Sequence, residues 1–155
     1  MCVRTLMLIA FLGGNALATN EAGTKFLEEK AKEEGVIKLK SGLLYKVLKV
    51  GEGKHHPLPD SPCECHYKGT LIDGTQFDSS YDRGQPTTFA PKQVIKGWTE
   101  AMQLMVEGDK WEMYIPSDLA YGDRGAGAKI PGGAALIFQM ELMKIKGGKK
   151  ERQEA

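Results

Sequence analysis

Alternation of apolar and polar side chains marks the C-terminal half of the chain. From Leu136 to Ile145 the even positions through residue 142 are apolar, and Gln139 and Glu141 lie between them. Trp111, Met113 and Ile115 repeat the pattern. A period of two places alternate side chains on opposite faces of a strand. Both runs therefore predict strands with one buried face.

Residues 63–69 alternate in the same way, with the odd positions apolar. The pattern puts Cys63 and Cys65 on one buried face of a strand. Outside the first eighteen residues these are the only cysteines, too few and too closely spaced for a disulfide framework. They are predicted to be inert core residues.

A turn signal connects this strand to the next segment. Asp73-Gly74 is typical of a tight β-hairpin, in which glycine supplies the positive φ that the turn requires. The hairpin is expected to bring Tyr67, on the first strand, close to Phe77, on the second.

Only one internal segment has helical spacing. Val94, Ile95, Trp98 and Met102 recur every three to four residues and define one apolar face. The remaining runs after Val36 are short and broken by turn residues, which predicts antiparallel strands. The expected fold class is α+β: a curved antiparallel β-sheet wrapped around one short α-helix, preceded by an N-terminal helix.

Residues 19–35 form a helical lead-in. Within residues 20–34, helix-forming residues are combined with opposite charges four apart, such as Glu28 with Lys32 and Lys30 with Glu34, and Gly35 follows as a stop. The apolar stripe of this helix is thin. It is expected either to lie lightly on the domain or to meet another chain.

The first eighteen residues have the pattern of a secretory signal peptide. Arg4 supplies a positive start, residues 6–12 are apolar, and Ala16-Leu17-Ala18 is a small-residue cleavage site. A buried N-terminal helix or a membrane anchor is the alternative, but the apolar run is far shorter than the roughly 20 residues that span a bilayer. The expected location is secreted or periplasmic, with no membrane span.

Charge excludes nucleic acid as the main partner. The chain has 21 basic and 20 acidic side chains, whereas nucleic-acid binding depends on a basic surface. Residues 147–155 are basic and polar, and such runs are usually solvated ends. They are predicted to be a polar tail.

The sequence lacks the motifs of phosphate-binding loops, metal sites and catalytic nucleophiles. The stretch Gly122–Gly127 lacks the strand-to-helix context of a phosphate loop, and His55-His56, in a predicted polar turn, has no third ligand at metal-binding spacing. No serine or cysteine lies in a recognisable nucleophile motif. No metal and no cofactor are expected.

Several stretches resemble the FKBP-type peptidyl-prolyl cis-trans isomerases, in family order and with nearly family spacing. They are Cys65-His66-Tyr67-Lys68-Gly69, Gly74-Thr75-Gln76-Phe77-Asp78-Ser79-Ser80, Val94-Ile95-Lys96-Gly97-Trp98, Ala120-Tyr121-Gly122, Ile130-Pro131 and Leu136-Ile137-Phe138. The resemblance covers about Ser41 to Lys146 and gives an isomerase domain over residues 36–146. The signal and helical lead-in are similar to the macrophage infectivity potentiator branch, which implies export and a possible homodimer through the N-terminal helix.

The resemblance also implies a pocket. Its implied catalytic residues are Tyr67, Phe77, Asp78, Tyr121 and Phe138. Its implied substrate- and inhibitor-binding residues are Phe89, Val94, Ile95, Trp98 and Ile130. Trp98 would form the floor, the Tyr121 hydroxyl would bind a ligand carbonyl, and the Ile95 amide would bind the chain near the proline. The apolar members could equally be plain core, and Asp78 a turn cap.

The implied function is acceleration of rotation about X-Pro bonds, non-covalently and without general acid or base catalysis. The implied partners are proline-containing peptides and proteins, with rapamycin- or tacrolimus-type macrolides as inhibitors. Thr87 and Lys129 depart from common family residues at the rim, which affects substrate preference. A non-catalytic module or chaperone that grips proline segments is the competing hypothesis, because fold alone does not establish activity.

The exported protein is predicted to begin at Thr19, because the Ala16-Leu17-Ala18 site follows a short apolar run. Intact-mass spectrometry of the secreted chain checks this. A mature protein that keeps residues 1–18 would show the cleavage prediction to be wrong.

Overall fold

The computed structural model describes residues 19–152, which form an antiparallel sheet packed on a short helix. The strands are β1 Val36–Lys38, β2 Leu44–Lys49, β3 His55–Pro57, β4 Cys63–Leu71, β5 Gln76–Ser79, β6 Thr87–Phe89, β7 Lys110–Ile115, β8 Leu136–Ile145 and β9 Lys149–Glu151. The α-helices are α1 Glu21–Lys30, α2 Ser80–Arg83 and α3 Lys96–Met102, and 3-10 turns occupy Pro91–Gln93 and Ser117–Leu119.

The main sheet has the strand order β1-β2-β7-β8-β4-β5, and β6 also pairs with β4. Every pairing is antiparallel. Strands β3 and β9 form a separate ribbon. The predicted sheet and its central helix α3 are confirmed, and the predicted strand from Leu136 to Ile145 has the bounds of β8.

The core lies between α3 and one face of the sheet. Trp98, Ala101 and Met102 of α3 are buried against Met113 and Ile115 of β7, among other strand residues. Full burial of a large apolar side chain contributes about 1.5–3 kcal/mol, so this layer stabilises the packing of α3 on the sheet. Gly97 allows the contact, because a Cβ there would stand 2.8 Å from Ile115 Cγ2.

The two cysteines of β4 are core residues, as predicted. Cys63 and Cys65 are fully buried and unpaired. Burial raises the pKa of Cys63 to about 11 and raises that of Cys65 further. Both thiols therefore stay protonated and unreactive at neutral pH. The predicted hairpin is also present, with Gly74 at φ 90°.

The N-terminal helix is shorter than predicted and lies on its own domain. Helix α1 ends at Lys30, and Lys30 pairs with Glu33 at 3.0 Å rather than with Glu34. Phe26 meets the Tyr114 ring edge-on, with centroids 6.1 Å apart. Tyr114 lies on the face of β7 opposite Trp111, Met113 and Ile115, and it is buried because α1 covers that side of the strand.

Three short elements differ from the sequence expectation. His55-His56 was predicted to lie in a solvated turn, yet it belongs to β3, and His56 Nδ1 lies 2.9 Å from the Met105 carbonyl oxygen. Within the predicted polar tail, Lys149–Glu151 is exposed and pairs with β3 as β9, a strand that was not predicted. Helix α2 was not predicted, because a single turn has no periodicity to detect. Among residues 19–152, no helix is long and apolar enough to cross a membrane.

Candidate active site

A cavity of about 650 Å³ opens where the start of α3 faces β4, β5 and β6. Its lining residues are Tyr67, Phe77, Asp78, Phe89, Gln93, Val94, Ile95, Trp98, Tyr121 and Phe138. The structure thus brings together every predicted site residue except Ile130. It adds Gln93, whose position beside an apolar pair gave no signal of its own in the sequence.

Ile130 belongs to the core rather than to the cavity lining. Its backbone exchanges hydrogen bonds with Ala126, the Ala126 N–H to the Ile130 carbonyl at 2.9 Å and the reverse at 3.2 Å. This pairing curls the loop, and the Ile130 side chain is only 6% exposed within the main core cluster. It supports the loop from below.

Aromatic rings meet edge to face around the base of the cavity. The Trp98 ring lies 5.0 Å from the centroids of both Tyr67 and Phe138, at interplanar angles of 74° and 80°. Such pairs contribute about 0.5–1.5 kcal/mol beyond their burial, which keeps the wall rigid. Gly69 gives the rings room, because a Cβ there would stand 2.6 Å from both Phe77 and Phe138.

Asp78 is held by two donors at the cavity edge. The Tyr67 hydroxyl donates to Asp78 Oδ2 at 2.5 Å, and Arg83 Nη1 donates to Asp78 Oδ1 at 2.5 Å. Arg83 Nη2 also donates to the Tyr67 oxygen at 2.8 Å. Partial burial alone would raise the pKa of Asp78, but the hydrogen bonds from Tyr67 and Arg83 outweigh it and leave the pKa lowered. The carboxylate is ionised at neutral pH and more than a turn cap.

Arg83 is the site residue that sequence reasoning missed. It lies on the one-turn helix α2, where the Ser79 hydroxyl accepts from the Asp82 N–H at 3.4 Å and Gly84, at φ 76°, ends the turn. A serine three residues before an aspartate, with a glycine just beyond, is a capping signal that could have located the turn. Nothing in that pattern indicates that the arginine reaches Asp78.

Besides the buried indole N–H of Trp98, two donors suited to a ligand carbonyl have no acceptor among residues 19–152. They are the hydroxyl of Tyr121, whose side chain is 39% exposed, and the backbone N–H of Ile95 at the start of α3. Burial, and to a lesser degree the charge of Asp78, raises the pKa of Tyr121, so its hydroxyl stays protonated. Both groups are available to a ligand carbonyl.

The side-chain amide of Gln93 is held by a hydrogen bond from the backbone. Its Oε1 accepts from the Ala90 N–H at 3.1 Å, which orients the amide at the mouth of the cavity.

The lining contains no nucleophile paired with a base. No histidine, serine, cysteine or lysine is part of it. Within the part of the chain that the structure describes, no group of three or more His, Cys, Asp or Glu side chains could hold a metal ion. The arrangement can bind an apolar ring and hydrogen-bond the adjoining backbone.

An antiparallel sheet curved about one helix, with an aromatic cavity at the helix start, defines the class of α+β domain to which the chain belongs. Residues 53–143 match the family described as FKBP-type peptidyl-prolyl cis-trans isomerase. Residues 14–47 match the domain amino terminal to FKBP-type peptidyl-prolyl isomerase. The chain belongs to the FKBP-type peptidyl-prolyl cis-trans isomerase family.

Individual relatives agree with this. The chain is 54% identical over 130 residues to the macrophage infectivity potentiator of Trypanosoma cruzi, covering 84% of this chain and 66% of that protein. It is 45% identical over 124 residues to the outer membrane protein MIP of Legionella longbeachae, with coverages of 80% and 53%. The crystal structure of FkpA from Escherichia coli superposes with a TM-score of 0.76 at 41% identity, over 81% of this chain and 58% of that chain. The chain thus spans about half to two thirds of the length of these relatives.

Replacing Arg83 by methionine is predicted to raise the pKa of Asp78 while costing little stability. The pair is exposed, with side chains 47% and 41% accessible, so the loss of stability should be small. Because the folded-state pKa of Asp78 is lowered, its stabilising contribution is present above the ordinary carboxyl pKa and disappears as the pH falls through the lowered one. NMR titration of Asp78 and unfolding at neutral and acid pH measure both effects.

Arg124→Met is the matched control, because Arg124 makes no ion pair among the described residues. An unchanged Asp78 titration in the Arg83→Met variant would contradict this account of the carboxylate.

Proposed function

We propose that the protein is a peptidyl-prolyl cis-trans isomerase that binds the proline ring of an X-Pro segment in the aromatic cavity. The observation that carries the proposal is the aromatic wall around Trp98, Tyr67 and Phe138, with free donors at its edge. Family membership supports the reaction class. The proline ring is apolar and flat enough to lie against this wall, and the adjoining carbonyls need donors.

The reaction needs no covalent step. Rotation about an X-Pro bond costs roughly 18 to 20 kcal/mol because resonance holds the amide planar. The twisted amide is less conjugated and less charge-separated than the planar one, so a site that removes water from the bond favours the twisted form. The Tyr121 hydroxyl and Ile95 N–H fix the backbone while the amide rotates.

Asp78 acts as a fixed anion at the cavity edge. Its oxygens are already engaged by Tyr67 and Arg83, and its lowered pKa keeps it ionised. It therefore orients the Tyr67 ring and does not exchange protons with the substrate during rotation.

Macrolides of the rapamycin and tacrolimus type are proposed inhibitors. A cavity of about 650 Å³ lies within the roughly 300–1,000 Å³ typical of drug-sized ligand sites. It combines apolar walls with a few donors, the pattern that holds such ligands in one orientation.

We propose export on the pattern of the first eighteen residues, which lie outside the described part of the chain. The outer membrane name of the Legionella relative agrees with it. Pairing of two chains through α1 stays a proposal with weaker support, because Phe26 is used within the chain against Tyr114. What remains on α1 for a second copy is a small apolar surface that includes the exposed Ala22.

The competing role is a non-catalytic module or chaperone for proline segments. It would use the same cavity for binding, and its signature would be affinity for prolyl peptides without acceleration of their isomerisation. An isomerisation assay with and without rapamycin separates the two roles.

The catalytic efficiency is predicted to be nearly constant between about pH 6 and 8, where a catalytic histidine of ordinary pKa near 6.5 would titrate. Tyr121→Phe should lower it only partly, through loss of one hydrogen bond worth about 0.5–1.5 kcal/mol. Phe77→Ala or Trp98→Ala should lower kcat/KM further than Tyr121→Phe does, because these rings form the wall of the cavity. The measurement is kcat/KM for a prolyl peptide across that pH range.

Circular dichroism confirms that each variant is folded, and Phe77→Leu serves as a milder substitute should the alanine variant unfold. A bell-shaped pH profile, or abolition of activity by Tyr121→Phe in a folded protein, would mean proton transfer. Absence of catalysis in the unaltered chain would defeat the proposed function itself, whereas catalysis that rapamycin does not inhibit would defeat only the proposal about macrolides.

A further inference from the structure

The first residues of the described chain lie against both ends of the loop between β7 and β8. The Ser117 N–H, just after β7, donates to Thr19 Oγ1 at 3.0 Å. The Asn20 N–H donates to the carbonyl oxygen of Gly133, just before β8, at 2.8 Å. Thr19 and Asn20 therefore bridge the two ends of the loop that carries Tyr121.

Ser117 and Gly133, the two residues that Thr19 and Asn20 contact, are both hydrogen-bonded to Gly122, the residue next to Tyr121. The Gly122 N–H donates to the Ser117 carbonyl at 2.8 Å, and the Gly133 N–H donates to the Gly122 carbonyl at 2.9 Å. Gly122 is thus bonded on both sides to the residues that Thr19 and Asn20 hold. A displacement of the N-terminal turn would therefore move Ser117 and Gly133, and through their hydrogen bonds to Gly122 it would shift the backbone next to Tyr121.

Helix α1 keeps the turn in place by close packing. Asn20 Oδ1 accepts from the Gly23 N–H at 2.7 Å and caps the helix. Gly23 is buried, and a Cβ there would stand 2.7 Å from Thr19 Cγ2 and 3.1 Å from Ala135 Cβ. Only glycine lets the helix approach the loop this closely.

We propose that Thr19 and Asn20 are positioning residues for Tyr121, so that the N-terminal segment sets the order of the active-site loop. The proposal rests on the proposed function, in which the free Tyr121 hydroxyl binds a substrate carbonyl. A hydroxyl on a long, glycine-rich loop contributes to binding only when the loop is ordered beforehand. The N-terminal turn supplies that order from outside the isomerase domain.

Thr19→Val in the full chain tests the proposal, because valine keeps the shape of threonine and removes the acceptor for Ser117. We expect kcat/KM for a prolyl peptide to fall about 2- to 10-fold, because Thr19 Oγ1 accepts from the Ser117 N–H and, at 3.3 Å, from the Ser117 hydroxyl. In a Tyr121→Phe background the same substitution should have almost no further effect, since the hydroxyl that it positions is absent. Thr88→Val is the matched control, because Thr88 is an exposed residue of β6 whose hydroxyl makes no hydrogen bond among the described residues.

Amide hydrogen exchange gives a readout independent of catalysis. In Thr19→Val the Gly122 and Gly133 amides should exchange faster, while the amides of β8 keep their protection. Gly23→Ala should act in the same direction although alanine favours helix more than glycine, because its Cβ pushes α1 away from Ala135.

Three results would overturn the proposal. They are unchanged exchange at Gly122 in Thr19→Val, an activity loss that adds in full to that of Tyr121→Phe, and an equal loss in the Thr88→Val control. If the unaltered chain does not isomerise prolyl peptides, the proposed function fails, and the exchange measurement still decides whether the N-terminal turn orders the loop.

Discussion

The close approach of α3 to the sheet is the constraint on which the site depends. At Gly97 the helix backbone lies so near Ile115 that a Cβ would stand 2.8 Å from its Cγ2. This contact places the next residue, Trp98, at the base of the cavity, where Tyr67, Phe89 and Phe138 all meet its ring edge-on. A bulkier residue at 97 would lift the helix and with it the floor of the site.

The polar groups around this floor divide into two kinds. Asp78 is engaged by Tyr67 and Arg83 and stays charged, so it stiffens the wall. The Tyr121 hydroxyl and Ile95 N–H lack acceptors among the described residues and stay available to a ligand. A cavity with locked charges and free neutral donors suits binding of a rotating amide far better than proton transfer, which needs a group that can change its protonation state.

Local patterns in the sequence were enough for the elements that carry their own signal. Strands β4, β7 and β8 each have one apolar face with a period of two, α3 has an apolar face, and Asp73-Gly74 marks a hairpin. The family resemblance located the cavity except for Ile130. What could not be predicted depends on contacts between distant segments: Arg83 reaching Asp78, β9 pairing with β3, and Thr19 bonding Ser117. Tyr114 is buried for the same reason, since only the docking of α1 covers it.

The central claim is that the cavity accelerates X-Pro rotation by holding and desolvating the amide, without proton transfer in the transition state. The solvent deuterium isotope effect on kcat/KM for a prolyl peptide, measured in water and deuterium oxide of matched viscosity, tests this most directly. The account predicts clear catalysis with equal rates in both solvents. A marked slowing in deuterium oxide would show that a proton moves in the transition state and would contradict it.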